Sequence, residues 1–323
     1  MNLPETAAKC ALPSHKRLAG KDIIEIPALS KGDIDLILAT SREFEDRLSH
    51  ERRIPLLQDY ILATLFYEPS TRTRLSFEAA MLRLDGRVMS VAEVTSSSVA
   101  KGESIDDTVR TIEQYANVIV MRHPEAGAAH VAADAISIPL INAGDGSRNH
   151  PTQALLDLYT IEKERGSIAG QTIALVGDLK YGRTTHSLAE ALVHYGARLM
   201  LVSPPELAMP ERIKDQLRAA NVSFEETADI ERAVRQADVM YVTRIQRERF
   251  PSPAEYDRFR GVFHIDPALV ERAKPGLTIM HPLPRVDEIS HEVDTCEGAA
   301  YFRQARNGVF VRMAVLALVL GAL

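Results

Sequence analysis

Residues 70–74, with the sequence STRTR, place three hydroxyl groups and two guanidinium groups in five consecutive positions. They lie between an apolar run that predicts a strand and a segment with helical periodicity. The first turn of a helix carries unpaired N–H groups and a partial positive charge, which disfavours arginine there. No Glu or Gln stands three residues after Ser70 or Thr71, so the sequence contains no capping box. A bound anion would satisfy these groups together, and the segment predicts a phosphate site; a hydroxyl-capped helix with solvated arginines is the alternative.

Two further positions carry side chains that could act on a carbonyl group. His150 stands at the opening of a predicted helix, where its neutral ring could donate a hydrogen bond to a carbonyl oxygen. Arg122 ends a predicted buried strand, and binding residues gather at strand ends in α/β proteins. A helix-capping or surface histidine and a solvated arginine are the alternatives.

Arginines also follow three successive predicted strands in the second half of the chain, at Arg183, Arg244 and Arg285. Because a guanidinium group pairs with a carboxylate in a bidentate geometry, this arrangement predicts a pocket for a dicarboxylate. Structural ion pairs are the alternative for some of them. Residues 175–183 close a strand and open a helix without the G-x-G-x-x-G pattern, which argues against a dinucleotide site.

The elements that must position these residues alternate between strands and helices. Periodicity over residues 34–48, with Ser30 upstream as a cap, predicts a first helix. Apolar runs predict strands at 60–66, 117–121, 138–142, 172–176, 198–202, 238–242 and 277–280. Helices are predicted at 71–84, with Leu75, Ala79 and Leu82 on one face, and at 153–164, 187–195 and 211–220. This pattern is typical of an α/β protein with mainly parallel sheets covered by helices on both faces.

Composition limits the classes of protein that remain. A length of 323 residues predicts two similar-sized domains, and 46% hydrophobic with 25% charged residues is ordinary for a folded protein. The net charge of −6 offers no overall attraction to nucleic acid or to an anionic membrane, so an anion site must be built locally. An irregular stretch at 246–259 is either a binding loop or a plain surface loop.

Cysteine usage and hydropathy point to the cytoplasm. The two cysteines, Cys10 and Cys296, form no C-x-x-C motif and no metal-binding pattern, so neither a disulfide framework nor a zinc site is expected. The first twenty residues do not have the pattern of a secretory signal. The apolar run 313–323 has 11 residues, whereas about 20 span a bilayer, and it therefore predicts a buried terminal helix.

Taken in order, these segments resemble the aspartate carbamoyltransferase family, in its catalytic chain. The resemblance extends from about residue 22 to about residue 320. It rests on FYEPSTRTR at 66–74, MRHP at 121–124, HPTQ at 150–153, DLKYGR at 178–183 and HPLPR at 281–285. It implies transfer of the carbamoyl group of carbamoyl phosphate to L-aspartate, the committed step toward pyrimidines, without a metal or organic cofactor.

The resemblance also implies the roles of individual residues. The phosphate is held by Ser70, Thr71, Arg72 and Thr73. The carbamoyl oxygen is contacted by Thr73, Arg122 and His150, and the carbamoyl nitrogen by Gln153. Aspartate is matched to Arg183, Arg244 and Gln246, with backbone atoms of Leu283 and Pro284 completing its pocket. Catalytic roles fall to Arg72, Thr73, Lys101, Arg122 and His150.

An assembly of at least a trimer follows from the same resemblance, because Ser97 and Lys101 are matched to residues that reach into a neighbouring subunit's site. Some relatives carry two lysines before the Gly-Glu step, whereas Ala100 precedes Lys101 here and leaves one candidate lysine. Regulatory chains and dihydroorotase stay open as further partners of the homotrimer. Neither nucleic acid nor a membrane is expected as a partner.

The expected division of the chain has three parts. Residues 1–20 form a loose extension. Residues 21–152 and the C-terminal helix 308–323 form the carbamoyl-phosphate-binding domain, and residues 153–307 form the aspartate-binding domain.

Three other functions compete with this one. Ornithine carbamoyltransferase shares the STRTR and HPTQ elements, but its ornithine-side motif is His-Cys-Leu-Pro, and this chain has Pro282 in place of that cysteine. A non-catalytic anion-binding homologue is disfavoured because the matched site residues are intact. A dinucleotide-dependent dehydrogenase is disfavoured because the glycine pattern is missing.

Overall fold

The computed structural model describes residues 15–91, 102–247, 250 and 252–323. The first half contains α1 (Lys31–His50), β1 (Ile61–Phe66), α2 (Thr71–Arg83), β2 (Arg87–Val91), α3 (Ile105–Glu113), β3 (Val118–His123), α4 (Ala128–Asp134), β4 (Leu140–Asp145) and α5 (Pro151–Arg165). Its strands form one parallel sheet in the order β2-β1-β3-β4.

The second half repeats this alternation around a larger sheet. It contains β5 (Thr172–Val176), α6 (Arg183–Leu192), β6 (Arg198–Val202), α7 (Glu211–Ala219), β7 (Phe224–Thr227), α8 (Ile230–Gln236), β8 (Val239–Val242), α9 (Pro253–Asp257), α10 (Pro267–Val270), β9 (Thr278–Met280) and α11 (Tyr301–Val319). The strand order is β7-β6-β5-β8-β9, and all pairs are parallel.

Each sheet is covered on both faces, which confirms the predicted fold class. Successive residues of a strand point to opposite faces. In β1, Leu62 and its neighbour Ala63 accordingly enter different apolar clusters, and in β5 Ile173 and Ala174 do the same. These strands are apolar on both sides because water reaches neither face.

The strand order reverses at one point in each sheet, between β1 and β3 in the first and between β5 and β8 in the second. At such a point the two connecting segments leave the sheet in opposite directions and open a crevice beyond the carboxyl ends of the strands. The segments that follow β1, β3, β5 and β8 carry the predicted site motifs. The topology therefore brings these motifs to two crevices.

Helices α5 and α11 join the two halves. α11 packs against α1, α2 and α5, while α5 also contacts β4 and α6. Residues 310–319 of α11 are all buried, which confirms a buried terminal helix, but this helix begins at Tyr301 and ends at Val319 and so does not have the predicted bounds 308–323. The division of the chain into domains at residue 152 stays a prediction.

Helix α1 begins as the sequence predicts. The Ser30 hydroxyl accepts a hydrogen bond from the backbone N–H of Asp33, whose carboxylate accepts one from the backbone N–H of Ser30. This reciprocal capping box satisfies N–H groups that have no partner within the helix.

Helix α2 buries a different face from the one that its leucines indicate. Leu75 and Leu82 are 51% and 59% exposed, whereas Phe77 and Met81 are fully buried. Phe77 and Met81 belong to the cluster that also contains residues of α11. A long-range contact therefore decides which face of α2 is covered, and local periodicity does not reveal it.

Other differences occur at element ends and sheet edges. Helix α6 begins at Arg183, four residues earlier than predicted, and ends at Leu192. Strands β2 and β7 were not predicted, and both are partly exposed edge strands without the apolar character of the central ones. The stretch 246–259 contains α9, which Ser252 caps.

Residues 15–20, which the expected division assigns to a loose extension, pack against the folded chain. His15–Leu18 form a 3-10 helix, Leu18 is fully buried, and the Gly20 N–H donates to the Val319 carbonyl oxygen. The earlier part of the predicted extension, including Cys10, lies outside the described residues. None of the helices that the structure describes is both long enough and apolar enough to cross a membrane.

Candidate active site

A cleft of about 380 Å³ opens where the carboxyl ends of strands from both sheets meet. Its wall includes every described residue to which the family resemblance gives a role: Ser70, Thr71, Arg72, Thr73, Arg122, His150, Gln153, Arg183, Arg244, Gln246, Leu283 and Pro284. Ser97 and Lys101 lie outside the described residues. Residues that are far apart in the chain thus share one concave surface.

The turn from β1 into α2 forms one end of the cleft. Ser70 is the N-cap residue of α2 but makes no capping hydrogen bond with its side chain, and the first turn contains no acidic residue. Burial and the positive charge of the nearby Arg244 guanidinium lower the pKa of Arg72, because both disfavour the charged form of the Arg72 side chain. An anion at this helix start would accept from backbone N–H groups and from Arg72 together.

Two buried arginines form the floor of the cleft. Arg122 lies 2.8 Å and Arg183 lies 3.1 Å from the same carboxylate oxygen of Glu68. Burial, together with the Arg183 charge, lowers the pKa of Arg122 to about 10. Arg122 therefore remains charged at neutral pH, and it shares the Glu68 carboxylate with Arg183.

Gly144 makes room for this pair. Its φ of +119° is unfavourable for residues with a side chain, and a Cβ atom there would lie 3.1 Å from the Arg183 guanidinium carbon and 3.3 Å from Nη1 of Arg122. Glycine thus lets the backbone at the end of β4 approach both arginines closely.

His150 is the N-cap residue of α5 and is buried. Its backbone N–H donates to the Ser187 hydroxyl at 3.1 Å, which anchors the start of α5 to α6. Burial holds the pKa of His150 well below its ordinary value of 6.5, and the charges of Arg183, Arg122 and Arg312 add to this effect. The ring is therefore neutral at physiological pH and can act as a hydrogen-bond donor to an oxygen that gains negative charge.

The other end of the cleft is built from the segments after β8 and β9. The Gln246 side chain donates to the Tyr181 carbonyl oxygen at 3.1 Å, which ties its loop to the loop after β5. Leu283 has a φ of +56°, and its backbone N–H donates to Nδ1 of His281 at 2.7 Å. A leucine in this left-handed conformation is strained, and such strain is concentrated at binding sites.

Arg285 does not belong to the cleft, so the predicted pocket of three arginines is wrong at this position. Its guanidinium group pairs with the Asp294 carboxylate and donates to the Tyr301 hydroxyl at 3.1 Å. The Arg285 hydrogen bond lowers the pKa of Asp294 to about 2. Arg285 forms one of the structural ion pairs that the sequence had left open, because Asp294 lies within reach only in the folded chain.

Sequence reasoning missed Arg312 and did not single out Glu68 or Gln304, all of which line the cleft. Arg312 is buried in α11, its guanidinium carbon lies 5.0 Å from the centre of the Phe77 ring, and Nη1 donates to Ser76 at 2.9 Å. An arginine between apolar residues of a helix predicted to be buried is the signal that could have found it. Among the residues that the structure describes, no group of three His, Cys, Asp or Glu side chains is placed to hold a metal ion.

This geometry predicts that inorganic phosphate binds at the start of α2. Replacing Arg72 by Gln removes a charge-assisted contact, and we expect phosphate affinity to fall about tenfold to a hundredfold. The measurement is the rise in thermal unfolding temperature over a phosphate series, which reports binding to the folded state. Arg285→Gln is the matched control and should keep the full phosphate-dependent rise. An equal rise in Arg72→Gln and the unsubstituted protein would contradict the assignment.

Comparison with known proteins gives the same picture as the geometry. The family model "Aspartate/ornithine carbamoyltransferase, carbamoyl-P binding domain" matches residues 21–163, and "Aspartate/ornithine carbamoyltransferase, Asp/Orn binding domain" matches residues 169–319. The aspartate carbamoyltransferase catalytic subunit of Thermococcus gammatolerans is 55% identical over 304 residues, which cover 94% of this chain and 99% of that protein. That of Leptospira biflexa is 49% identical over 301 residues, with 93% and 97% covered.

Solved structures agree with these relatives. The catalytic subunit of aspartate transcarbamoylase from M. jannaschii superposes with a TM-score of 0.85 at 51% identity and covers 92% of this chain and 96% of its own. The Trypanosoma cruzi aspartate transcarbamoylase in complex with carbamoyl phosphate gives a TM-score of 0.89 at 42% identity, with 94% and 97% covered. The same enzyme in complex with N-(phosphonacetyl)-L-aspartic acid also gives 0.89 at 42% identity, with 94% and 97% covered. Sequence motifs, sheet order and the arginine-lined cleft thus agree with both comparisons, and the chain belongs to the aspartate carbamoyltransferase family, among its catalytic subunits.

Proposed function

We propose that this chain transfers the carbamoyl group of carbamoyl phosphate to the amine of L-aspartate, giving N-carbamoyl-L-aspartate and phosphate. The observation that carries the proposal is the distribution of charge in the cleft. The helix start with Arg72 suits a phosphate, and Arg183 and Arg244, which line the same cleft, suit two carboxylates. We also propose, from the resemblance to the family, that this reaction is the committed step toward pyrimidines.

The proposed chemistry follows from what the cleft offers. The neutral amine of aspartate attacks the carbamoyl carbon, and the electrons of the C=O bond move onto the oxygen. Arg122, Thr73 and neutral His150 are the donors proposed to stabilise that oxygen, and they need no reorganisation as charge develops. The C=O bond then re-forms as the C–O bond to phosphate breaks, the electron pair of the broken bond leaves on the phosphate oxygen, and the leaving phosphate takes the amine proton. Holding both substrates in one cleft removes much of the entropic barrier.

The four phosphate-binding residues in this proposal are Ser70, Thr71, Arg72 and Thr73, and Gln153 accepts from the carbamoyl nitrogen. Arg183, Arg244 and Gln246 bind aspartate with the backbone of Leu283 and Pro284. Arrangement around one cleft supports these roles. Two guanidinium groups on the aspartate side favour a second carboxylate over the cationic end of ornithine.

A homotrimer with shared sites is part of the proposal. Leu75, Leu82 and Met89 are exposed on α2 and on β2, which packs beside it, and exposed apolar side chains on adjacent elements suit a subunit interface. Ser97 and Lys101 would reach from one subunit into the next. We also propose that the chain acts in the cytoplasm. Regulatory chains and dihydroorotase stay predictions from the resemblance.

The experiment that tests the function is a colorimetric assay of ureido product with carbamoyl phosphate and either L-aspartate or L-ornithine. We expect product with aspartate alone, and inhibition by N-(phosphonacetyl)-L-aspartate, because that compound joins a phosphonate to an aspartate and fills both ends of the cleft. Product with ornithine alone would contradict the assignment of Arg183 and Arg244. No product with either amine would leave an anion-binding role in its place.

His150→Ala tests the oxyanion role. Loss of one donor to the developing oxyanion should lower kcat about a hundredfold to a thousandfold, with the KM for carbamoyl phosphate changed less than about threefold. Because the pKa of His150 lies well below 6.5, the ring is already neutral between about pH 6 and pH 9 and contributes no limb to the pH profile. The variant should keep the shape of the wild-type profile of kcat against pH. Unchanged turnover, or disappearance of an acidic limb, would argue against the assigned role.

Lys101→Gln tests the shared site. The variant alone should be inactive, because Lys101 is the one candidate lysine before the Gly102-Glu103 step. Mixed trimers formed with chains carrying Arg72→Gln should recover activity, since some sites then combine an intact Arg72 with an intact Lys101 from the neighbour. Each variant refolded alone is the control. No recovery in the mixture would mean that each subunit builds its site by itself.

A further inference from the structure

A carboxylate lies behind the cleft wall and has no role in the chemistry above. Asp157, on α5, is fully buried and is absent from the lining of the cleft. Its Oδ1 accepts one hydrogen bond from the side-chain amide of Gln153 at 2.8 Å and another from that of Gln304 at 2.7 Å. The first donor belongs to the same helix, and the second belongs to α11.

The hydrogen bond to Asp157 determines which way the Gln153 amide faces. Oδ1 of Asp157 accepts from both amides, so Gln153 turns its NH2 group toward Asp157. Its carbonyl oxygen is then left for the cleft, which Gln153 lines. The carbamoyl group presents an NH2 donor, and only this orientation of Gln153 offers it an acceptor.

Gln304 continues the same chain of directional hydrogen bonds to the aspartate end of the cleft. While its NH2 group donates to Asp157, its carbonyl oxygen accepts from the backbone N–H of His281 at 2.9 Å. The His281 ring in turn accepts from the backbone N–H of Leu283 at 2.7 Å. Every donor in this series faces an acceptor, from the loop after β9 to the amide of Gln153.

We propose that Asp157 is a positioning residue for carbamoyl transfer, which orients the Gln153 carbonyl oxygen toward the carbamoyl nitrogen and ties it through Gln304 to the loop that holds aspartate. This inference rests on the proposed function and adds a residue to it. Asp157 acts through Gln153 and touches neither substrate.

Stability alone accounts poorly for a carboxylate at this position. Burial raises the pKa of Asp157 to about 7, although the hydrogen bonds from Gln304 and Gln153 oppose this effect. Taking a carboxylate out of water costs free energy that an apolar side chain would not cost at this position. The two amides that it orients, both lining the cleft, give the carboxylate a function that an apolar side chain could not perform.

The test compares turnover with the binding of N-(phosphonacetyl)-L-aspartate. The acyl carbon of this compound bears a methylene group and the aspartate nitrogen, and it carries no NH2 group for Gln153 to receive. In Asp157→Leu we expect kcat/KM for carbamoyl phosphate to fall about thirtyfold, within the range for a misplaced reacting group, while the inhibition constant of the compound changes less than about threefold. In Asp157→Asn, which keeps an acceptor oxygen, both values should stay within about threefold of wild type.

Thr160→Val is the matched control. Thr160 lies one turn further along α5 and accepts from Asn307 of α11 at 3.0 Å, so the variant breaks a buried hydrogen bond between the same two helices away from the cleft. Its kcat/KM and inhibition constant should both match wild type. If Asp157→Leu does not fold, Asp157→Ala takes its place, and inhibitor-dependent thermal stabilisation identifies the folded variant.

A double-mutant cycle separates orientation of Gln153 from general support of the fold. In a Gln153→Ala background, loss of Asp157 should lower kcat/KM by less than about threefold further, because its target is already gone. Equal losses of turnover and inhibitor affinity in Asp157→Leu, full turnover in that variant, or additive losses in the double mutant would each overturn the proposal. The wild-type protein must form product in the aspartate assay for these outcomes to bear on Asp157. A wild-type protein that forms no product would contradict the proposed function instead.

Discussion

The mutual repulsion of guanidinium groups at one cleft is the constraint on which the rest of the structure depends. Arg72, Arg122, Arg183 and Arg244 line a single concave surface, and burial together with neighbouring arginines lowers the pKa of Arg72 and of Arg122. Such a cluster is costly to assemble without an anion. Much of the surrounding architecture can be understood as the means of holding these charges in place.

Three features of the structure offset the free energy that assembling these arginines costs. The Glu68 carboxylate is shared between Arg122 and Arg183, and Gly144 lets the backbone approach both. The sheets supply rigid strands whose ends set the spacing, because their apolar residues are buried on both faces. Burial keeps His150 neutral and the same positive charges add to this effect, so the charge that attracts the substrates also favours the protonation state of a proposed catalytic group.

The sequence predicted the site better than it predicted the packing around it. Arg72, His150 and Arg183 lie where a strand pattern changes to a helix pattern. Such side chains are unusual at these positions, so the residue type alone indicates a site before any contact is known. The covered face of α2 and the partner of Arg285 depend on contacts with α11 and with Asp294, which no local pattern contains. The contacts of Arg312 are also long-range, because its partner Ser76 lies 236 positions away in the chain. Ser97 and Lys101 stay predictions.

The position of α11 has a consequence for synthesis of the chain on the ribosome. Helices α1 and α2 belong to the first half, yet the apolar surface that covers them comes from residues 301–319. A nascent chain that has completed both sheets still leaves that surface open to water and to other nascent chains. The first half therefore completes its burial of apolar surface only after the second half has been translated.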